Sequence, residues 1–272
     1  MQKSITNIVI CYANEDEVIE YAKELAKQTV RVKLVIVLNK IGEKGTKYLE
    51  TELDKLTIDH SIYDPGENLG YLNGLVYGYS KSDKAGDWFI LSNTDIKIYD
   101  CEMFEKFFNS ISFVDSDIWL LGPSVFAPKQ SKYSNPYLRI RPNKMFYKKR
   151  ILAMRFATIY NWLFMLKNRK RTLDINANKN QSAITYAIHG SYMFIRKELL
   201  EVLECRSAWE LLYNEEQYIA ELVRLNGKKV FYDSNLEINH MEGASTGKVN
   251  VKNRYNLMIN ANKRILKEFY YE

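Results

Sequence analysis

The sequence predicts an α/β fold whose mostly parallel sheet is covered by helices on both faces, and three observations carry that prediction. Short apolar runs alternate with amphipathic helical segments through the first half of the chain. The runs are apolar throughout rather than alternating, as strands buried on both faces are. Polar residues follow several of them directly, and in parallel sheets ligands bind beyond the carboxyl ends of the strands.

The elements follow in order. Asn7 to Cys11 is the first strand; Asn14, with Glu17 three residues on, reads as a capping box opening a helix with Val18, Tyr21, Ala22, Leu25 and Ala26 on one face. Val32 to Leu38 is the second strand, followed by a helix presenting Tyr48, Leu49, Leu53 and Leu56, and Ile58 to Tyr63 is the third. A loop containing Pro65 and Gly66 leads to a helix from Tyr71, then to a fourth strand, Trp88 to Leu91. The second half is less regular. It offers strands at Ile118 to Val125 and Tyr192 to Ile195, a helix from Lys197, and a helix from Glu215 to Leu225 closed by Asn226-Gly227. Two short strands, Lys229 to Tyr232 and Glu237 to Asn239, precede a terminal amphipathic helix with Leu257, Ile265 and Leu266. Without repeats or low-complexity linkers, 1–272 reads as one domain, its first half (1–126) facing a ligand and its second (127–272) holding a basic insertion at 139–171.

At 272 residues, 46% hydrophobic and 26% charged, the chain is globular, not disordered. Cys11, Cys101 and Cys205 are odd in number and far apart, which predicts neither disulfides nor a zinc site. With no signal-peptide pattern at the N-terminus, a cytoplasmic location is expected. Eleven of the 39 Lys/Arg fall between Arg139 and Arg171 with no acid among them, leaving 28 against 33 acids elsewhere. The basicity is one patch on an otherwise acidic chain, which disfavours nucleic acid as a partner.

Asn93-Thr94-Asp95 follows the fourth strand, where Asp95 is placed to hold Mg²⁺ or Mn²⁺ together with substrate phosphates. An Asx-turn is the plainer reading of such a triplet, so it needs support from elsewhere. Gly70, Gly74 and Gly78 surround a helix start and permit close backbone approach, with Asn68 able to present its amide to a phosphate, ribose or base; the same spacing also marks tight helix packing. Glu215-Glu216 at a helix start suits either a general base or a helix-dipole complement. His240, before the polar loop Glu242 to Thr246, suits a metal or phosphate; His189, before Gly190, lines the cleft; His60 reads as structural.

Taken in order, these segments resemble the bacterial family 2 glycosyltransferases with the GT-A fold, in the surface-polysaccharide branch that includes rhamnosyl- and galactosyltransferases, and the resemblance covers nearly the whole chain. Tyr12-Ala13-Asn14 resembles the family's TYN turn; Asn68-Leu69-Gly70-Tyr71 with Gly74 and Gly78 resembles N-L-G-F-x-x-G-x-x-x-G; LSNTDI resembles an L-N-x-D variant of the Asp-x-Asp motif. His189 to Arg196 is similar to G-A-x-M-x-x-R, Tyr213-Asn214-Glu215-Glu216 to Y-x-E-D, and His240 with Gly243-Ala244-Ser245 to H-x-x-G-x-S. The resemblance implies a Rossmann-like nucleotide-sugar half merged with a smaller acceptor half and an inverting transfer. It places Tyr12, Asn14, Asn68, Gly70, Asn93 and Asp95 on the donor, Asp95 and His240 on a metal, and Glu216 as base, with Glu215, His189 and Gly190 lining the cleft. Two departures stand out: Leu38-Asn39 replaces the common Asp-Asn, leaving Asn39 as the base contact, and Tyr218 replaces a second acid.

Within 139–171 the longest uncharged run, Phe156 to Leu166, is about half the ~20 residues of a membrane span. Aromatic and apolar residues bordered by Lys/Arg instead suit a helix lying on anionic lipid. Such a surface serves a transferase that moves a sugar from a UDP- or dTDP-sugar to a hydroxyl of a polyprenyl-diphosphate-linked acceptor in capsule or surface polysaccharide synthesis. It would sit peripherally on the inner face of the cell membrane. A buried helix with a solvated rim, or a homo-oligomer interface, is the alternative use. Two other functions compete: a sugar-nucleotide nucleotidyltransferase, against which Tyr12 to Glu17 lacks a glycine or a basic residue, and a non-catalytic membrane-binding module.

Overall fold

A computed structural model describes residues 4–39, 42–110, 115–156, 179, 181–242 and 251–271. In chain order the first half runs β1 (Ser4–Cys11), α1 (Glu15–Ala26), β2 (Arg31–Leu38), α2 (Glu43–Leu53), β3 (Asp59–Tyr63), α3 (Tyr71–Lys81), β4 (Trp88–Ser92), β5 (Ile96–Lys97) and α4 (Met103–Asn109). The second half continues with β6 (Ile118–Ala127), β7 (Lys132–Tyr133), α5 (Lys144–Arg155), β8 (Ala183–Thr185), β9 (Tyr192–Arg196), α6 (Lys197–Glu204), α7 (Glu215–Leu225), β10 (Lys229–His240) and α8 (Val251–Phe269).

One sheet runs through both halves in the order β3-β2-β1-β4-β9-β6-β10-β5. Strands β3, β2, β1 and β4 pair in parallel, as do β6 and β10, while β9 lies antiparallel between β4 and β6. Successive strand residues point to opposite faces, and both faces are buried. Val9, Ile36, Ile90 and Phe194 pack with α1, α2 and α4 on one side. Ile8, Val35, Phe89 and Met193 pack with α3, α6, α7 and α8 on the other.

Three expectations differ from the structure. The two strands expected after Gly227 are one, β10, whose register with β6 shifts between Asp233 and Glu237. There Asp233 Oδ1 accepts from Asn235 N at 2.9 Å, a local turn that absorbs the extra residues as a bulge. Helix α4, whose Met103, Phe104 and Phe107 are buried, was not expected. Asn14 sits at the N-cap of α1 but makes no side-chain cap bond; its amide is held elsewhere, as shown below.

The described part of the basic segment is partly internal. Helix α5 buries Tyr147 and Met154, and its first turn meets the end of the chain, with Lys144 Nζ 3.4 Å above the ring of Tyr271. Just before it, Arg141 Nε bonds the fully buried Glu221 at 2.6 Å and lies 4.1 Å over Tyr270. Ile140, Met145, Leu152 and Phe156 remain exposed. No helix among the described residues is long and apolar enough to cross a membrane, and 157–171 lies outside them.

Candidate active site

Strand β4 ends on a buried polar knot. Ser92 Oγ accepts from Asn7 Nδ2 at 2.9 Å and lies 2.9 Å from the hydroxyl of Tyr21, which itself donates to Asn7 Oδ1. This knot fixes where the chain leaves the sheet, and the next three residues diverge. Asn93 N donates to Ser191 O at 2.9 Å. Thr94 turns back toward α1, accepting from Asn14 Nδ2 at 2.8 Å and donating to Glu17. Asn14 also donates to Glu17 at 2.8 Å and accepts from Tyr12 N at 2.7 Å, so the expected capping pair holds the first loop against the triplet.

Asp95 meets His240 through the sheet itself. Strand β5 pairs antiparallel with β10, Ile96 opposite His240, and Met241 N donates to Asp95 O at 2.9 Å. That register sets His240 Nε2 3.2 Å from Asp95 Oδ1 and 3.3 Å from Asn93 Nδ2. Nε2 can donate to the carboxylate or accept from the amide, not both. In the accepting tautomer the Nε2 lone pair faces the Asn93 amide; with that amide turned away, it and Asp95 Oδ1 would be two ligands for one cation. No group of three His, Cys, Asp or Glu suited to a metal occurs among the described residues. This donor set fits a divalent ion whose remaining positions come from a ligand's phosphates, as Mg²⁺ sites commonly do.

Because β9 is antiparallel, its start lies at the same end as the carboxyl end of β4. His189 N donates to Asn135 Oδ1 at 2.7 Å, and His189 Nδ1 accepts from Ser191 N at 3.2 Å, which places the ring proton on Nε2. The ring lies 5.6 Å from that of His240 and 6.1 Å, edge-on, from Tyr137. Burial, then the neighbouring His240 and Lys132, pushes the His189 pKa down to about 4, so it is neutral at pH 7.

Glu215 and Glu216 follow two left-handed residues, Tyr213 (φ 80°) and Asn214 (φ 60°), a sharp turn that non-glycine residues rarely adopt. Glu215 is buried and folds back to accept from Tyr213 N at 2.8 Å. Glu216, half-buried, reaches the other way and accepts from Gly190 N at 3.3 Å. A Cβ on residue 190 would stand 3.0 Å from Glu216 Oε1, so glycine permits this approach. Desolvation raises both carboxyl pKa values, and for Glu215 the Glu216 charge adds to it. For Glu216, its own backbone amide, the Gly190 amide and the Arg150 guanidinium act in the opposite direction.

The glycine-bearing loop is built from its own polar atoms. Asn68 Oδ1 accepts from Gly70 N at 2.9 Å, and Gly70 adopts φ 78° where a Cβ would collide with Leu211 O. Asn39, expected to contact a base, is buried; it donates to Gly70 O at 2.8 Å and accepts from Leu69 N at 3.3 Å. Its amide supports the loop. Gly74 and Gly78 lie against Ile10, Ile8 and Val37, which is the helix-packing use of that spacing. Tyr218, where the family pattern carries an acid, is buried and stacks on Trp209 at 4.1 Å. Three residues that sequence reasoning left out join the site: Tyr71, whose hydroxyl donates to Gly190 O at 2.8 Å; Arg150; and Asn135. The Tyr71 hydroxyl had a signal, since the motif carries Phe there. Gly243, Ala244 and Ser245 lie outside the described residues.

No family model matches the sequence, and no curated protein matches it. Solved structures do. A mannosyltransferase from Pyrobaculum calidifontis, in complex with GDP-Man and Mn²⁺, superposes with TM-score 0.54 at 12% identity over 89% of this chain and 57% of its own. S. aureus TarS 1-349 in complex with UDP-GlcNAc gives 0.56 at 13% over 98% and 73%. GalNAc-T7 with UDP, GalNAc and Mn²⁺ gives 0.64 at 10% over the whole chain and 49% of its own. The fold is that of the GT-A glycosyltransferases. The chain spans about half the length of GalNAc-T7 and 57% of the mannosyltransferase. At 10–13% identity the likeness carries the fold alone.

Proposed function

We propose that this GT-A chain is an inverting glycosyltransferase that moves a sugar from a UDP- or dTDP-sugar to a hydroxyl of a polyprenyl-diphosphate-linked acceptor. The observation that carries the reading is the arrangement around Gly190. Asp95 and His240 stand 3.2 Å apart, the His240 ring lies 5.6 Å from that of His189, and the amide of the next residue, Gly190, holds Glu216. In a single in-line displacement the acceptor oxygen bonds to the anomeric carbon as the carbon–oxygen bond to the diphosphate breaks. Glu216 takes the acceptor proton, and the nucleoside diphosphate leaves. Burial raises the Glu216 pKa, which suits a group that must take up a proton, while the Gly190 amide and Arg150 act in the opposite direction. Asp95 and His240 would hold Mg²⁺ or Mn²⁺, which offsets the charge of the departing diphosphate. Tyr12, Asn14, Asn68, Gly70 and Asn93 form the donor side, with Asn39 setting the loop.

The lipid-linked acceptor rests on the basic segment. On α5, Met145 and Leu152 are exposed at helical spacing beside the exposed Lys148, Lys149 and Arg155, and Phe156, which ends the helix, is exposed as well. Each cation near anionic lipid contributes roughly 1 kcal/mol.

Incubation with UDP-, dTDP- and GDP-sugars and Mn²⁺, with assay of released nucleoside diphosphate, tests the reading. One donor class is expected to turn over and to raise the melting temperature. Absence of both effects with every donor overturns it. Co-sedimentation with vesicles tests the surface, where equal binding with and without anionic lipid removes the membrane claim.

A further inference from the structure

Tyr71 stands where the motif this segment resembles carries phenylalanine, and its additional hydroxyl has a defined partner. At one end of the residue, Tyr71 N donates to Leu211 O at 3.0 Å, holding the segment that leads into Glu215-Glu216. At the other, Tyr71 Oη donates to Gly190 O at 2.8 Å, and the N–H of that same Gly190 donates to Glu216 Oε1 at 3.3 Å. One residue, through its backbone N–H and its hydroxyl, therefore ties α3, the approach to β9 and the approach to α7 into a closed circuit. The circuit has little slack, because a Cβ at Gly70 would strike Leu211 and one at Gly190 would press on Glu216.

We infer that Tyr71 is a positioning residue that fixes the backbone at Gly190 by holding its carbonyl, and through the N–H of that same residue the direction of the Glu216 carboxylate, coupling the 68–70 loop to placement of the base. This rests on the transferase reading above. Loss of the hydroxyl frees the 190–191 peptide, which carries the Gly190 carbonyl, to turn at a flexible glycine; the Gly190 N–H lies in the preceding peptide and leaves Glu216 through movement of the shared Cα. A hydroxyl buried beside Glu215, Glu216 and Asp95 stays protonated, since burial and those three charges raise its pKa well above the ordinary tyrosine value. It can therefore donate throughout the working pH range. The groups facing Glu216 are Glu215 on its own helix, Arg150 on α5, Tyr137 before α5, Tyr71 on α3 and the Gly190 amide. Apart from the neutral Tyr71 hydroxyl itself, only the last is released in Tyr71→Phe.

The test compares Tyr71→Phe with wild type and Glu216→Gln by steady-state kinetics, pH profile and amide hydrogen exchange. In Tyr71→Phe, kcat is expected to fall roughly three- to tenfold with donor KM unchanged, the loss of one net hydrogen bond. The acidic limb of kcat should move to higher pH, because the Gly190 amide no longer favours ionised Glu216. Exchange at residues 190–191 should quicken while the rest of the sheet keeps wild-type protection. Gly190→Ala, which displaces the carboxylate directly, should reproduce the kinetic change. Wild-type kcat, pH limb and exchange in a folded Tyr71→Phe overturn the inference. Equal kcat loss accompanied by a raised donor KM and no movement of the pH limb overturns it as well, since that pattern belongs to a donor contact. A wild-type protein that turns over no donor defeats the transferase reading, while the exchange measurement still decides whether Tyr71 holds Gly190.

Discussion

Helices α1 and α7 begin alike in sequence, each with an asparagine followed by acidic residues in its first turn, and the structure puts the two to different uses. At α1, Glu15 and Glu17 are half-exposed and Asp16 is exposed, with Glu17 accepting from Asn14 and Thr94. At α7, Asn214 adopts φ 60°, Glu215 is buried, and Glu216 is half-buried with one backbone amide on it. The first arrangement serves the helix and its neighbouring loop. The second places two carboxyls where burial opposes their charge, a cost that a purely structural helix start would avoid. Five residues further along α7, Glu221 provides an internal contrast: it is fully buried but bonded to Arg141, Arg224 and Tyr186.

Substitutions can break this contrast, beginning with the largest effect. Glu216→Gln removes the base and should lower kcat by roughly 10²–10⁴-fold with the melting temperature near wild type; turnover within a few-fold of wild type would make α7 no different from α1. Glu221→Ala should do the reverse. It should lower unfolding stability in urea by about 3 kcal/mol, the lower end for a broken buried pair because both arginines reach solvent, and leave donor KM unchanged in the protein that remains folded.

The smallest effect is linked to pH. The folded pKa of Glu215 is raised above the ordinary 4.5, chiefly by desolvation and then by Glu216. The native state therefore holds its proton longer than the unfolded chain, and this position weakens stability progressively as pH rises from about 4.5 toward the raised folded value. Glu215→Gln has no such proton. Its stability relative to wild type should climb with pH across that window when urea unfolding is measured at several pH values, and a flat difference would show that Glu215 is not held in a desolvated site.

The strands β1 to β4 and the helices between them were legible because each apolar run is continuous and each helix has a clear face, as Val18, Tyr21, Ala22 and Leu25 show. Helix α4 was not, since seven residues give too short a period to register among aromatic neighbours. The bulge in β10 was invisible because Asp233-Ser234-Asn235 carries ordinary turn chemistry, and only continued pairing with β6 makes both sides one strand. Asn39 and Arg150 illustrate the same limit at the site. Nothing local to Asn39 shows that its amide also donates to Gly70 O, 31 residues on, and nothing local to Arg150, one arginine in a basic run, shows that its charge acts on Glu216.

By itself, then, the sequence determined the α/β layering and singled out Asn93-Thr94-Asp95, His189-Gly190, Glu215-Glu216 and His240, because periodicity and strand-end chemistry are local properties written in neighbouring residues. Which of these meet was decided by the tertiary structure alone. The antiparallel insertion of β9 beside β4 brings Gly190 to the end of the parallel strands, and the β5–β10 register sets His240 on Asp95. Both depend on pairing between segments far apart in the chain, and no local pattern specifies a partner at that distance.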